Sequence, residues 1–272
     1  MTAISAPTHD SSTVRERVEL TPNPWPADVW TVFSREIRPL LNDPFQVVFS
    51  MVQPLFFLAL FAPLLPDAIV GEGGSALQWF VPGIVAMSCL MGSSMVGSNL
   101  LLEMQTGSHE RMTVTPLRRS ALLTGRALKE IVPMIAQSAI IVAVATPFSF
   151  ELHLTGVVVG VLLMALFAVG VSALSYSLAL ASTGRDWMFW AVQQTFLFPV
   201  LLLAGMLLPI EGAPGWLQVL SSINPLTYVV EAERALFAGQ WPGGELLAGL
   251  VAASAVAVVG LAVGVRAMRK AH

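Results

Sequence analysis

Six blocks of this chain are apolar enough and long enough to lie inside a lipid bilayer, and nothing else in the sequence restricts its fold as much. They run over about 47–66, 79–102, 130–148, 156–182, 188–208 and 245–265. A helix that crosses the hydrocarbon layer needs about 20 predominantly apolar residues. Glu130 and Glu245 mark block edges, and the interiors contain no Asp, Glu, Lys or Arg. Only 11% of all residues are charged, against about 25% in soluble domains. The expectation is an all-α, polytopic membrane protein with six transmembrane helices in one membrane domain.

Six crossings put both termini on the same side. Of the 14 Lys and Arg residues, all but Arg234 then fall on that side. An excess of basic residues marks cytoplasmic segments. Both termini are therefore expected in the cytoplasm of a multi-pass cell-membrane protein. No secretory signal peptide is visible, and the chain is expected to start on the cytoplasmic side and stay there. Residues 1–24, rich in Ser, Thr and Pro, read as a disordered cytoplasmic tail.

Two segments outside the spans are patterned. In "WPADVWTVFSREIRPLLNDP", Trp30, Phe33, Ile37 and Leu41 recur at helical spacing, with Arg35, Glu36 and Arg38 on the other side. This reads as an amphipathic helix on the inner membrane surface, broken or kinked at Pro39, with a plain solvated helix as the alternative. Between spans five and six, "APGWLQVL" and "NPLTYVVEAERALFAG" read as two short helices. Asn224 can cap the second, with Pro225 in its first turn and Gly239 just past its end. They are too apolar for a free loop, so they are expected to re-enter the outer leaflet packed against protein.

Much familiar chemistry is missing. The only lysines, Lys129 and Lys270, follow Leu128 and Arg269, so no phosphate-binding Gly-Lys-Ser/Thr loop exists. His9, His109, His153 and His272 do not fall at metal-ligand spacing. The single cysteine, Cys89, sits in an apolar block and reads as a small buried hydrophobe. No span carries the mid-membrane charge of a proton relay or ion pathway. No catalytic residue, metal or cofactor is expected in this chain, and no nucleic-acid partner. It has the anatomy of a membrane pathway without an energy source, so something must dock on it.

The docking candidate is "EMQTGSHERMTVTPLRRSALLTGR", residues 103–126, a polar segment between spans two and three. Its start can form a short helix loosened by Gly107 and ended by Pro116, with Arg118, Arg119 and Arg126 at the membrane interface. Such a helix could be a docking knob for a soluble partner, or its arginines could simply hold anionic lipid.

Four stretches together resemble the membrane subunits of type-2 ABC exporters, especially the daunorubicin-resistance type. They are "LQWFVPGIVAMSCLMG", "GSHERMTVTPLRRSALLTGRALKE", "GMLLPIEGAPGWLQVLSSINPLTYVVEAERAL", and the stretch Trp30–Leu41 followed by Pro44. The resemblance covers most of residues 28–265, so residues 25–272 are expected to form the transmembrane domain. It implies a permease that works as a dimer with an identical or sister permease chain. The resemblance further implies a cytoplasmic subunit that binds ATP and Mg and hydrolyses the nucleotide. The loop after the second span implies a coupling helix for that subunit, carried here by Glu103, Met104, Gly107, Glu110, Arg111 and Thr113. In one common form of the family Glu-Arg precedes the glycine; here it follows it.

Polar residues within spans have two readings, helix packing or a cavity for an amphiphilic cargo. Ser88, Gly92, Met95 and Asn99 share one face of span two, and Gln194, Phe198, Leu201 and Gly205 one face of span five, beside Gln193 and Thr195. Gly156 and Gly160 form a Gly-x-x-x-Gly packing motif. Asn99, Gln193 and Gln194 are the pathway candidates, because a bare amide facing lipid is costly, together with Phe198 on the same face of span five as Gln194. Trp216, Tyr228, Glu231 and Arg234 are candidates for an outer gate, with Glu231 and Arg234 spaced to pair. The expected function is export of a hydrophobic drug or antibiotic-like compound. A permease for a glycan or lipid-linked precursor, or an uncoupled channel or scaffold, are the alternatives.

Overall fold

The computed structural model describes residues 24–43, 45–64, 75–107, 118–148, 150–206, 209–210, 212–241 and 243–270. The described residues are helices and connecting turns. At one end lie α1 (Trp25–Asn42), α2 (Phe45–Ser50) and α3 (Val52–Phe61), the last running into a 3-10 turn at Ala62–Leu64. Next come α4 (Ala76–Gln105), α5 (Arg119–Lys129), α6 (Ile131–Ala145) and α7 (Leu154–Ala181). The chain closes with α8 (Asp186–Leu203), α9 (Gly215–Ile223), α10 (Pro225–Phe237) and α11 (Gly243–Lys270).

Four stretches are long and apolar enough to cross a membrane: α4, α5 with α6, α7, and α11. They match the expected spans two, three, four and six. At about 1.5 Å per residue, the 30-residue α4 outreaches a hydrocarbon layer about 30 Å thick. Its last turns therefore project as a stalk. The third span begins earlier than expected, at Arg119, with a break at Glu130 between α5 and α6. The expected first span is divided between α2 and α3 by a turn at Met51. The expected fifth is the 18-residue α8, whose Asp186, Gln193 and Gln194 dilute its apolar character.

Small residues let the helices meet backbone to backbone, as membrane helices do when no water drives them together. A Cβ added at Gly260 would lie 2.2 Å from the Gly170 carbonyl oxygen, so α7 and α11 are in direct backbone contact. At Gly156 it would lie 1.8 Å from Leu236 O, and at Gly160 2.8 Å from the Phe237 ring. The Gly-x-x-x-Gly of α7 is thus the groove that receives α10. Phe80, Ile84, Met164, Leu226, Val229 and Phe237 fill the core around this contact.

The two short helices form where expected. Asn224 Oδ1 accepts from Leu226 N at 3.1 Å, its amide donates to Val200 O at 2.7 Å, and Gly239 ends α10 at φ 73°. One local expectation changes. The helix α1 is not broken at Pro39, which sits close to its end where few hydrogen bonds are lost. The stripe of α1 left open contains Trp30 and Leu41, whereas Asp28, Val29 and Val32 are buried. The cause is Gly125 on α5: a Cβ there would fall 2.7 Å from Val32 Cβ, so α1 lies directly on α5. Of the short helix expected from Glu103, residues 103–105 belong to α4, and 108–112 lie outside the described residues. The stalk α4 continues through Gln105 and stops where Gly107 takes φ 68°.

Candidate functional site

The charged end of the bundle is organised by one buried cation. Arg126, on α5, is 1% exposed. Its Nε lies 3.4 Å from Glu36 Oε1 on α1, and its Nη2 lies 2.5 Å from Glu103 Oε2 on the last turn of α4. Lys129, one turn along α5, reaches Glu36 Oε2 at 3.7 Å and Glu130 at 3.5 Å. The Arg126 guanidinium also lies 5.8 Å from the centre of the Tyr176 ring on α7. One arginine therefore ties four helices. A guanidinium suits this because its planar fork presents donors in more than one direction.

Around it the ends are pinned by further polar contacts. The Asp28 carboxylate, 3% exposed, accepts from Arg118 N at 3.4 Å, at the start of α5 where helix amides favour negative charge. Trp25 Nε1 donates to Ser120 Oγ at 3.2 Å, and Arg119 Nη1 to Met268 O on α11 at 3.3 Å. Gln105 Nε2 donates to Asp186 Oδ2 at the start of α8 at 2.5 Å. The surface helix, the stalk, and the ends of α8 and α11 thus converge where the polar segment 103–126 begins and ends.

Of the sequence-derived docking candidates, Glu103 and Met104 sit in the final turn of α4 and Gly107 stops it. Glu103 is engaged by Arg126, and Met104 Sδ accepts from Thr183 Oγ1 at 3.7 Å. Glu110, Arg111, Thr113 and Pro116 lie outside the described residues. Arg126 was expected at the membrane interface with Arg118 and Arg119; it is instead the buried centre of the cluster. The clue in the sequence was its place in "LLTGRALKEIV", immediately after a glycine that permits close approach.

At the opposite end, Arg234 on α10 lies 3.8 Å from the centre of the Trp79 ring and donates through Nε to Trp79 O at 3.3 Å. Its Nη2 donates to Gly205 O at 2.6 Å. It thereby clamps α10 to the start of α4 and the end of α8. Beside it a recess of about 240 Å³ is lined by Gln218, Ser221, Thr227, Tyr228 and Glu231, among others. Tyr228 Oη donates to Ser222 O at 2.6 Å, joining α10 to α9. Three of the four gate candidates line this recess, while Trp216 stands apart and 64% exposed.

The pathway candidates divide. Gln193 is buried, with Nε2 3.2 Å from Met95 Sδ. Gln194, Phe198 and Asn99 are exposed on the surface of this single chain. Ser88 is absorbed by its own helix, donating to Ile84 O at 2.9 Å. Sequence reasoning also missed Glu233, which α10 carries wholly into the core at 0% exposure. Its signal was legible, for Glu233 occupies the apolar stripe of Val229, Val230, Leu236 and Phe237. Among the described residues no cluster of His, Cys, Asp or Glu is suited to hold a metal.

Comparison with known proteins accords with this architecture. The chain is 26% identical over 226 residues to the daunorubicin resistance ABC transporter permease protein DrrB1 of Streptomyces coeruleorubidus, covering 80% of each chain. It is 27% identical over 215 residues to the putative transport permease ycf38 of Cyanophora paradoxa, covering 77% of this chain and 74% of that one. It is 23% identical over 201 residues to the probable doxorubicin resistance ABC transporter permease protein DrrC of Mycobacterium tuberculosis, covering 73% and 72%. The profile of the ABC-2 type transporter family matches residues 27–238. With its long apolar helices, its stalk and its charged joint, the chain belongs to the ABC-2 type transporter family, as a membrane-spanning permease of the ABC transporter class.

Proposed function

We propose that the chain is the membrane subunit of an ATP-driven exporter that expels a hydrophobic, drug-like compound across the cell membrane. Six crossings, counting α2–α3 and α8 with the four long helices, keep both termini in the cytoplasm. They leave α9 and α10 as a re-entrant outer cap. An ATP-binding subunit docks on the loop after α4, through Glu103, Met104, Gly107, Glu110, Arg111 and Thr113, and supplies ATP and Mg. This chain performs no hydrolysis itself.

What carries the reading is the buried joint at the base of that loop. Arg126 holds the stalk at Glu103 and the surface helix at Glu36. A push on the loop is therefore delivered to α1, α4 and α5 together rather than absorbed by one flexible turn. The exposed stripe of Trp190, Gln194 and Phe198 on α8 faces a second permease chain, identical or sister, because an amide left in lipid is costly. Asn99, Gln193, Gln194 and Phe198 line the route near that seam, and a route without fixed charge suits an apolar cargo. Tyr228, Glu231 and Arg234, with Trp216 at the rim, form the outer gate. Lipid bathes α1 along Trp30 and Leu41. The relatives' names mention daunorubicin and doxorubicin resistance, which is why a drug-like cargo is preferred to a glycan precursor.

The test is co-purification with the ATP-binding partner, followed by ATPase activity of the reconstituted complex against a panel of amphiphiles. Changing Glu110 and Arg111 together to alanine should abolish partner binding and leave the permease folded. Cargo movement by the purified chain alone, or labelling of residues 103–126 from the cell exterior, would overturn the proposal.

A further inference from the structure

Glu233 is the one acid that α10 carries into the apolar interior, and nothing in the export cycle above uses it. Both of its carboxyl oxygens are buried and make no hydrogen bond. The helix that holds it is pressed into α7: a Cβ at Gly156 would strike the Leu236 carbonyl, and one at Gly160 would sit 3.3 Å from Glu233 Cγ. On the other flank a Cβ at Gly249 of α11 would lie 2.7 Å from Ala232 Cβ. The neighbouring Arg234, stacked on Trp79 and bonded to backbone carbonyls, is among the described residues the one cation whose charge acts on Glu233, and it gives the carboxyl oxygens no hydrogen bond.

The other elements packed on α10 offer little charge. The helices α7 and α9 contain no Asp, Glu, Lys or Arg. Cys89 on α4 lies within electrostatic reach of Glu233. The acids of α4 and α8, Glu103 and Asp186, lie at the charged end. On α11, Glu245 is exposed in the first turn and the basic residues lie near or in the last. His153, at the start of α7, bonds Phe237 O at 3.2 Å. An ionised carboxylate with no donor in such a place is far costlier than the neutral acid.

We propose that Glu233 is a proton-binding site that latches the outer cap: it carries a proton while α10 lies in the α7 groove and releases it to the exterior when α10 lifts. In the opening step the O–H bond of the acid breaks, the proton passes to external water and the carboxylate is hydrated. Closure takes a proton up again. The exporter therefore exchanges a proton each time its outer cap opens, and external acid favours the closed form. The inference rests on reading α9 and α10 as the outer cap. Its test needs neither the ATP-binding subunit nor cargo, so its failure leaves the export reading standing.

The test is infrared spectroscopy of the full-length chain in lipid nanodiscs at neutral pH, comparing wild type with E233Q, E231Q and E130Q. The protonated-carboxyl C=O band should lose a component in E233Q that persists in E231Q and E130Q. Loss of ionised-carboxylate intensity alone in E233Q overturns the proposal. A parallel melting series from acidic to alkaline pH supplies the second readout. An acid kept protonated only in the folded state makes stability fall as pH rises above the ordinary carboxyl range. Wild type should therefore lose ground steadily to E233Q with rising pH, and a constant difference between them refutes the latch. Because a neutral acid tolerates neutral replacements, both E233Q and E233M should fold. Failure of both to fold refutes the proposal as well.

Discussion

Arg126 offers the sharpest test of how the charged end is held together. Replacing it with methionine keeps much of the buried stem and removes the charge. Glu36 and Glu103 are then left mostly buried, with 14% and 28% of their side chains exposed, and without their principal cation. Breaking a buried pair by deleting one partner costs about 3–5 kcal/mol. The partial exposure of Glu103 argues for the lower end. At about 2–4 °C per kcal/mol for a chain of this size, Arg126→Met should lower the melting midpoint by on the order of 10 °C. The deciding control is Arg126→Met combined with Glu36→Gln and Glu103→Gln. With no charge left stranded, most of the loss should be recovered, since neutral replacement of a whole buried ion cluster is often close to neutral in stability. Arg126→Lys should fall between, because a compact ammonium cannot reach both carboxylates as the fork does. Melting of the purified chain in detergent measures all four. If Arg126→Met melts with wild type, or the triple variant is no better than the single one, the cluster is not the buried joint described.

Other positions give independent checks. Gly125→Leu should force α1 off α5, because even a Cβ would meet Val32 at 2.7 Å; partner co-purification should weaken with a melting loss of about 1–3 kcal/mol. Asn224→Ala removes both the cap of α10 and the bond to Val200 O, and should cost about 0.5–2 kcal/mol in thermal melts. Arg234→Ala should impair assembly or cargo release more than ATP binding by the partner subunit, read by expression level, transport and nucleotide affinity; normal transport and expression would refute its role as a clamp.

The sequence was most legible where a local rule applies. Long uncharged blocks announce helices in lipid whatever their neighbours, so the four long spans could be read directly. The Asn224–Pro225 start and the Gly239 stop of α10 are likewise local, since capping involves groups a few residues apart. Gly156 and Gly160 could be recognised as a packing motif before their partner was known.

What only the tertiary structure decided depends on residues far apart in the chain. Arg126 looks like an interfacial arginine until α1 and α4 bring Glu36 and Glu103 to it from 90 and 23 positions away. Glu233 is marked by its place in the apolar stripe of α10, but its burial is settled only when the glycines of α7 draw that helix inward. The face of α1 that is buried was chosen by Gly125, and not by the most apolar stripe, because close backbone approach outweighs side-chain hydrophobicity when the remaining face can lie against lipid. Composition and periodicity record which segments leave water, whereas the pairing of charges within them is settled only when the helices meet.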